Sequence, residues 1–368
     1  MPRSSPRRVA KAIVPSAVIG RLNRKRESMR SPAQHQRARA RRLASAPTEF
    51  ERAYAEYWRT GVVPPEAGEL LFLATWASGG DLPRSLSRRH APAFDATTYA
   101  GFPSELLNGL NPAAVAGGLE REGYYVAPFA LASSAVDDIS RMLNEGPATP
   151  RGDAIEALAP GPPTQTAPSW WAEPTDALRS SAVRRLMRER KLAETAGTYL
   201  GVDPLIMSLA LWKSFAWEST DDHSAQLFHY DNDRSSFVKI FVYLTDVGPD
   251  NGPHTYVPRS HRSKPKELLH GGRLPDDLIA ESYPRDSWAT ITGARGTVFF
   301  ADTQGFHKGE RVAEGAREIF QINLGSDHFG APGSTVGPAT DAPSDLAAAV
   351  AQAPRYFGQL FSADAPVA

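Results

Sequence analysis

Residues 228–261 read FHYDNDRSSFVKIFVYLTDVGPDNGPHTYVPRSH. His229 and Asp231 stand two positions apart, just ahead of the apolar run 237–247. On an extended strand, positions i and i+2 point to the same face, so both side chains reach one ion. Further along, the apolar segment GTVFFAD (296–302) leads to His307 in ADTQGFHKG (301–309). Ten residues later Arg317 opens another apolar run, REIFQINL (317–324).

Two imidazoles and one carboxylate are the donor set of non-heme Fe(II) sites, which leaves three coordination positions for co-substrate and oxygen. A guanidinium on the following strand suits a small dicarboxylate, which it grips through two parallel charge-assisted hydrogen bonds. The rivals are weaker. Asp233 shares the face of His229 only if the strand stays regular to that position. His328 follows Arg317 and so breaks the order, and Arg311 lies in the turn 308–314, where a solvated charge is the default. His223, His254, His261 and His270 read as hydrogen-bonding loop residues, with His261 closing the VPRSH turn and tying backbone groups together.

This pattern resembles the phytanoyl-CoA dioxygenase family of Fe(II)/2-oxoglutarate-dependent oxygenases. The matching residues are His229 and Asp231, LTDV (244–247), NGP (251–253), Val257-Pro258 with Ser260-His261, then His307 and Arg317. A fainter echo is LEREGYYV (119–126), and the likeness spans roughly residues 115–327. Arg259 departs from it, because the family usually has Gly there, where a positive φ is often needed. The resemblance implies Fe(II) held by His229, Asp231 and His307, with 2-oxoglutarate as co-substrate gripped by Arg317. A second polar group from an earlier strand is often used, and Lys213, inside LALWKSFA (209–216), is the candidate; its alternative is to face solvent. Related halogenases replace the carboxylate with a small residue, so Asp231 points to oxygen chemistry.

The composition permits such an enzyme. The 368 residues are 41% apolar, with 7 Trp, 11 Tyr and 16 Phe, enough for a substantial core. Cysteine is absent, so thiolate metal sites and disulfides are excluded and any metal falls to His and carboxylates. No apolar run reaches membrane-spanning length, and a cytoplasmic enzyme is expected. The formal net charge of zero hides an asymmetry: residues 1–45 carry 13 Lys/Arg and one acid, Glu27. That segment (with domain bounds 1–46) reads as a basic, mostly disordered tail with local helix around 33–43. Beside a solvated tail, two readings stand: a targeting leader, and contact with nucleic acid or another anionic surface.

Folded structure is expected from Pro47, where Thr48 and Glu51 form a capping box ahead of Phe50, Tyr54 and Trp58 at helical spacing. Helices are expected over 65–76, 112–122, 133–143 and 175–200, with a strand at 124–127. Residues 77–110 and 146–174 read as loops, the second long and Pro/Gly-rich, with Trp170 and Trp171 either lid residues or pins to the core. Strands are expected at 205–216, 237–247, 255–257, 297–301 and 317–324. Helices followed by strands fit an α+β fold, and the resemblance makes it a double-stranded β-helix (jelly-roll) barrel backed by N-terminal helices. The domain then divides into a helical part, 47–203, and a barrel core, 204–330. An Ala/Pro-rich extension, 331–368, follows, with a helix over 344–353 and Tyr356, Phe357 and Phe361 docking onto the body.

The expected activity is hydroxylation of an unactivated C–H bond of a small organic substrate, consuming O2 and 2-oxoglutarate and releasing succinate and CO2. Two alternatives stand beside it: a non-catalytic jelly-roll binding protein whose basic tail docks on a polyanion, and a cupin-like protein using another metal.

Overall fold

The computed structural model describes residues 32–152, 158–217, 226–269, 271–330 and 335–362. The basic segment 1–31 therefore lies outside the described residues. Helices dominate the first half: α1 (Pro32–Thr60), α2 (Ala67–Ser78), α3 (Asp81–His90), α4 (Pro112–Glu122), α5 (Ser133–Glu145), α6 (Ser181–Met187) and α7 (Arg190–Leu200). Ten strands matter to the site: β1 (Tyr124–Ala130), β2 (Ala148–Arg151), β3 (Ser169–Ala172), β4 (Leu205–Phe215), β5 (Phe237–Tyr243), β6 (His254–Tyr256), β7 (Ala289–Ile291), β8 (Thr297–Ala301), β9 (His307–Gly309) and β10 (Ala316–Gly325). Helix α8 (Ser344–Gln352) follows. The architecture is α+β.

Seven strands form one antiparallel sheet in the order β1-β8-β5-β10-β4-β3-β2, and three form a second in the order β7-β6-β9. The large sheet is covered on both faces, which is why FVKIFVY in β5 is buried at every position. Val238, Ile240 and Val242 face the helical layer, in one core with Leu119 of α4, Ile139 of α5 and Leu192 of α7. Phe241 and Tyr243 face the other way, against Phe299 and Ile319.

Several local rules place these elements. Asn111 caps α4 by accepting from the Ala114 amide, Pro112 opens the helix, and Gly123 ends it at φ 85°. A Cβ on Gly123 would stand 2.2 Å from the Tyr256 hydroxyl, so only glycine lets α4 turn into β1 there. The segment 335–362 is no appendage. Leu346, Tyr356, Phe357, Leu360 and Phe361 are buried in the main core.

Some expectations are corrected. Helix α1 runs through Pro47 and Thr48, so no capping box starts the fold there, and Ala46, Phe50 and Tyr54 are buried together on it. Residues 77–110 contain α3, whose Pro83 sits in the first turn, where its missing N–H costs little. The stretch 146–174 contributes β2 and β3, which extend the large sheet beyond β4. Trp170 is the core pin, with its indole N–H donating to the Thr164 carbonyl at 2.8 Å.

Candidate active site

His229 and His307 are joined by two backbone hydrogen bonds, His229 N–H to His307 O at 3.0 Å and the reverse at 2.9 Å. The Asp231 amide donates to the Thr303 carbonyl at 2.8 Å, continuing the same extended pairing. This brings the three side chains together although 78 residues separate the two histidines in sequence. One ligand atom from each of His229, Asp231 and His307 lies within 4.8 Å of the others, a spacing that could hold one metal ion. His307 Nε2 is 3.6 Å and His229 Nε2 3.9 Å from the Asp231 carboxylate.

Each imidazole is aimed by its other nitrogen. His229 Nδ1–H donates to the Leu227 carbonyl at 2.9 Å, and His307 Nδ1–H donates to the Gly305 carbonyl at 3.0 Å. That tautomer leaves both Nε2 lone pairs for a metal. Burial, reinforced by His307, lowers the His229 pKa to about 3, and burial also lowers that of His307, so both rings stay neutral near pH 7. Burial opposes the charge of Asp231, yet the Lys239 ammonium at 2.6 Å and the two imidazoles hold its pKa below the usual carboxylate range. Lys239 also reaches Asp233 at 3.2 Å. Asp233 is further bonded by Asn323 and lies outside the ligand cluster.

A cavity of about 560 Å³ opens over this cluster, lined from the large sheet by Trp212, Phe241, Arg317 and Gln321, and from the small sheet by His254 and Gly309. Arg317 is buried; one guanidinium nitrogen donates to the Gly252 carbonyl, and Nε has no partner among the described residues. Gly252, the glycine of NGP, sits at φ 71°, and a Cβ there would be 2.6 Å from the Glu310 carbonyl. Burial lowers the Arg317 pKa, which leaves a guanidinium short of hydrogen-bond acceptors beside the cavity.

The rival positions separate cleanly. Arg311 is exposed and donates to the Trp217 carbonyl. His328 pairs with Gln359 at 2.6 Å, away from the cluster. Lys213 is corrected. On β4 it alternates with Trp212 and Ser214, which line the cavity, so it points to the opposite, helix-covered face. There it pairs with Glu318 at 2.9 Å and donates to Asn144 Oδ1 at 2.9 Å. The expectation for His261 also changes, since both its ring nitrogens are buried without hydrogen-bond partners among the described residues. His223 and His270 lie outside those residues.

Lys239 and Arg273 line the cavity without having been expected there, and His254, expected as a hydrogen-bonding loop residue, lies on β6 and lines it too. His254 is in register with Gly309, its ring stacks on His307 at 5.4 Å, and its buried Nε2 is unpartnered among the described residues. Lys239 lies two positions from Phe241 on β5, a parity that was legible once Phe241 faced the cavity. Arg273 precedes Leu274, which pairs with Phe228 next to His229. No sequence signal marked that pairing.

Residues 119–318 match the family model of phytanoyl-CoA dioxygenase (PhyH). No curated protein matches the chain significantly in sequence. Similar solved structures include the non-heme alpha ketoglutarate dependent epimerase SnoN from nogalamycin biosynthesis, 20% identical over 58% of this chain and 83% of that one, with a TM-score of 0.41. HygX from Streptomyces hygroscopicus, crystallised with nickel and 2-oxoglutarate, is 15% identical over 56% of this chain and 84% of its own, at 0.37. EctD from S. alaskensis, in its apoform, is 20% identical over 63% and 82%, at 0.43. With more than half of its length inside the family match, the chain belongs to the phytanoyl-CoA dioxygenase family, whose cofactors are Fe(II) and 2-oxoglutarate.

Proposed function

We propose that the chain is an Fe(II)- and 2-oxoglutarate-dependent dioxygenase that hydroxylates an unactivated C–H bond of a small organic substrate, inside a jelly-roll made by the two sheets. His229, Asp231 and His307 are the metal ligands in this reading. The observation that carries it is the convergence of their donor atoms, each imidazole fixed by a carbonyl so that Nε2 faces the others. When bound, Fe(II) supplies oxygen activation coupled to the decarboxylation of 2-oxoglutarate to succinate and CO2.

The protein's own groups then do the following. Lys239 occupies Asp231 Oδ2 and leaves Oδ1 for the metal. Arg317 takes the distal carboxylate of 2-oxoglutarate through two parallel hydrogen bonds. His254 of β6, whose ring stacks on His307 at 5.4 Å and which lines the cavity with Arg317, takes the second polar role that the resemblance implied for Lys213. Phe241, Ile319 and Val312 keep water from the centre.

The test is anaerobic titration with Fe(II) and 2-oxoglutarate, read by the visible charge-transfer band, followed by succinate release. His229→Ala and Asp231→Ala should each abolish metal-dependent absorbance and succinate release while the far-UV circular dichroism is kept. Arg317→Gln should raise the 2-oxoglutarate dissociation constant about 10- to 100-fold, the loss of one charge-assisted pair. Wild-type turnover in both ligand variants would refute the metal site.

A further inference from the structure

The cavity holds more positive charge than its cofactors use. Asp231 is matched by Lys239 at 2.6 Å, and Glu310 by Lys308 at 3.0 Å. Arg317 is committed to the co-substrate in the reading above. Two guanidiniums remain at the cavity, Arg151 and Arg273, both exposed; neither is in an ion pair among the described residues, and Asp231, the acid that acts on Arg273, is already held by Lys239. Arg273 precedes Leu274, which pairs with Phe228 beside His229, so it lines the cavity on the side of the proposed metal ligands. Arg151 lies 4.3 Å above the ring of Trp171, which stacks in turn on Trp212 at 4.8 Å and 7°. With Fe(II) balanced by 2-oxoglutarate and Asp231 by Lys239, these two guanidiniums leave the cavity positive on balance, which favours an anionic ligand.

The same cavity carries an aromatic wall: Trp171, Trp212, Phe215 and Trp217. Stacked indoles turn their electropositive edges sideways, and those edges add to the attraction for an oxyanion. We infer that the primary substrate is a small organic anion, an apolar or ring-bearing body with a carboxylate or phosphate that Arg273 and Arg151 grip while Trp171 and Trp212 flank the body. This rests on the oxygenase reading for its reaction, but not for its geometry. A cavity of about 560 Å³ that also takes 2-oxoglutarate fits a ligand of drug size or smaller.

The experiment is anaerobic calorimetric titration of the Fe(II)-loaded protein, saturated with 2-oxoglutarate so that Arg317 is filled. The probes are phenylacetate, phenyl phosphate and the neutral phenylacetamide. At least one anion should bind ten-fold or more tighter than the amide, and the better of the two identifies the oxyanion. Arg273→Gln and Arg151→Gln should each weaken that anion about ten-fold and leave the amide unchanged. Equal affinity for anion and amide, absence of anion binding, or wild-type affinity in both variants would overturn the inference. The charge-transfer band of the same samples separates the two readings. A normal band without anion preference sinks this inference alone, and anion preference without the band sinks the cofactor reading alone.

Discussion

Lys264 shows how one residue of the VPRSH region carries a cost the sequence does not advertise. Its ammonium is buried, 5.2 Å from the ring of Tyr230 and 5.9 Å from that of Phe306, and burial lowers its pKa to about 8. The ordinary lysine value is higher, so between pH 8 and roughly 10.5 the unfolded chain holds a proton that the folded chain lacks. This group therefore makes stability rise with pH across that window, and below it the buried charge is a constant burden. Lys264→Met should stabilise the protein at pH 7 by about 2–3 kcal/mol, and the difference should shrink towards zero near pH 10. Urea unfolding of both proteins at the two pH values measures it; a gap independent of pH would mean the ammonium is not what burial penalises. At this scale the sequence was informative where spacing alone decides, as with His229 and Asp231. It was also informative at Arg259, the one non-glycine residue with positive φ among the described residues (68°), where the family resemblance called for glycine. There the side chain pairs with Glu122 at 3.2 Å, and the amide donates to the Glu122 carbonyl.

Elements were harder to read than residues, and β4 shows why. In LIMSLALWKSF both faces of the strand are covered, so the alternation that normally reveals the inner face is missing. Lys213 could then be placed on either side, and the resemblance drew it inward. Register settles it: Lys213 pairs with Glu318, while Ser214 pairs with Arg317. Around Glu318, the Ser140 hydroxyl and the Asn144 amide, both from α5, complete a polar cluster beneath the helical layer. Removing the lysine leaves a carboxylate that is only 5% exposed without its counter-charge. Lys213→Met should lower stability by about 3 kcal/mol, yet leave the 2-oxoglutarate dissociation constant unchanged. A chemical denaturation curve beside a co-substrate titration checks both halves, and a weakened co-substrate would return Lys213 to the cavity. The edge strands β2 and β3 escaped notice for a related reason. Four-residue strands in a Pro/Gly-rich stretch carry too short a period to register, and β3 is held by pairing with β4 rather than by its own pattern.

At the scale of the whole molecule, the helical layer and the segment after β10 close the large sheet from behind and so hold the cavity's floor. Two cores divide that task. Phe50, Tyr54 and Tyr57 of α1 pack with Leu70, Leu71 and Phe329, and the Tyr54 hydroxyl donates to the buried Asp327 carboxylate at 2.9 Å. Tyr356 and Phe357 insert into the main core, with Tyr356 5.4 Å from Tyr99 and 6.0 Å from Phe102, and Arg355 donates to the Ser326 carbonyl at 2.6 Å. Composition describes this last segment as Ala/Pro-rich, and the aromatics expected to dock, Tyr356, Phe357 and Phe361, are buried in the main core. Tyr356→Ala should cost about 3–5 kcal/mol through the cavity it leaves, and a chain ending at residue 330 should lose cooperative unfolding altogether. The proposed metal ligands are carried by β9 and the segment before β5, on the far side of the sheet from Tyr356. Below its own melting temperature, Tyr356→Ala should therefore bind Fe(II) and 2-oxoglutarate with wild-type affinity. Urea unfolding of the variant and the truncated chain, beside the charge-transfer titration, tests the division. A truncated chain with an unaltered midpoint would show that residues 335–362 cover the body without supporting it.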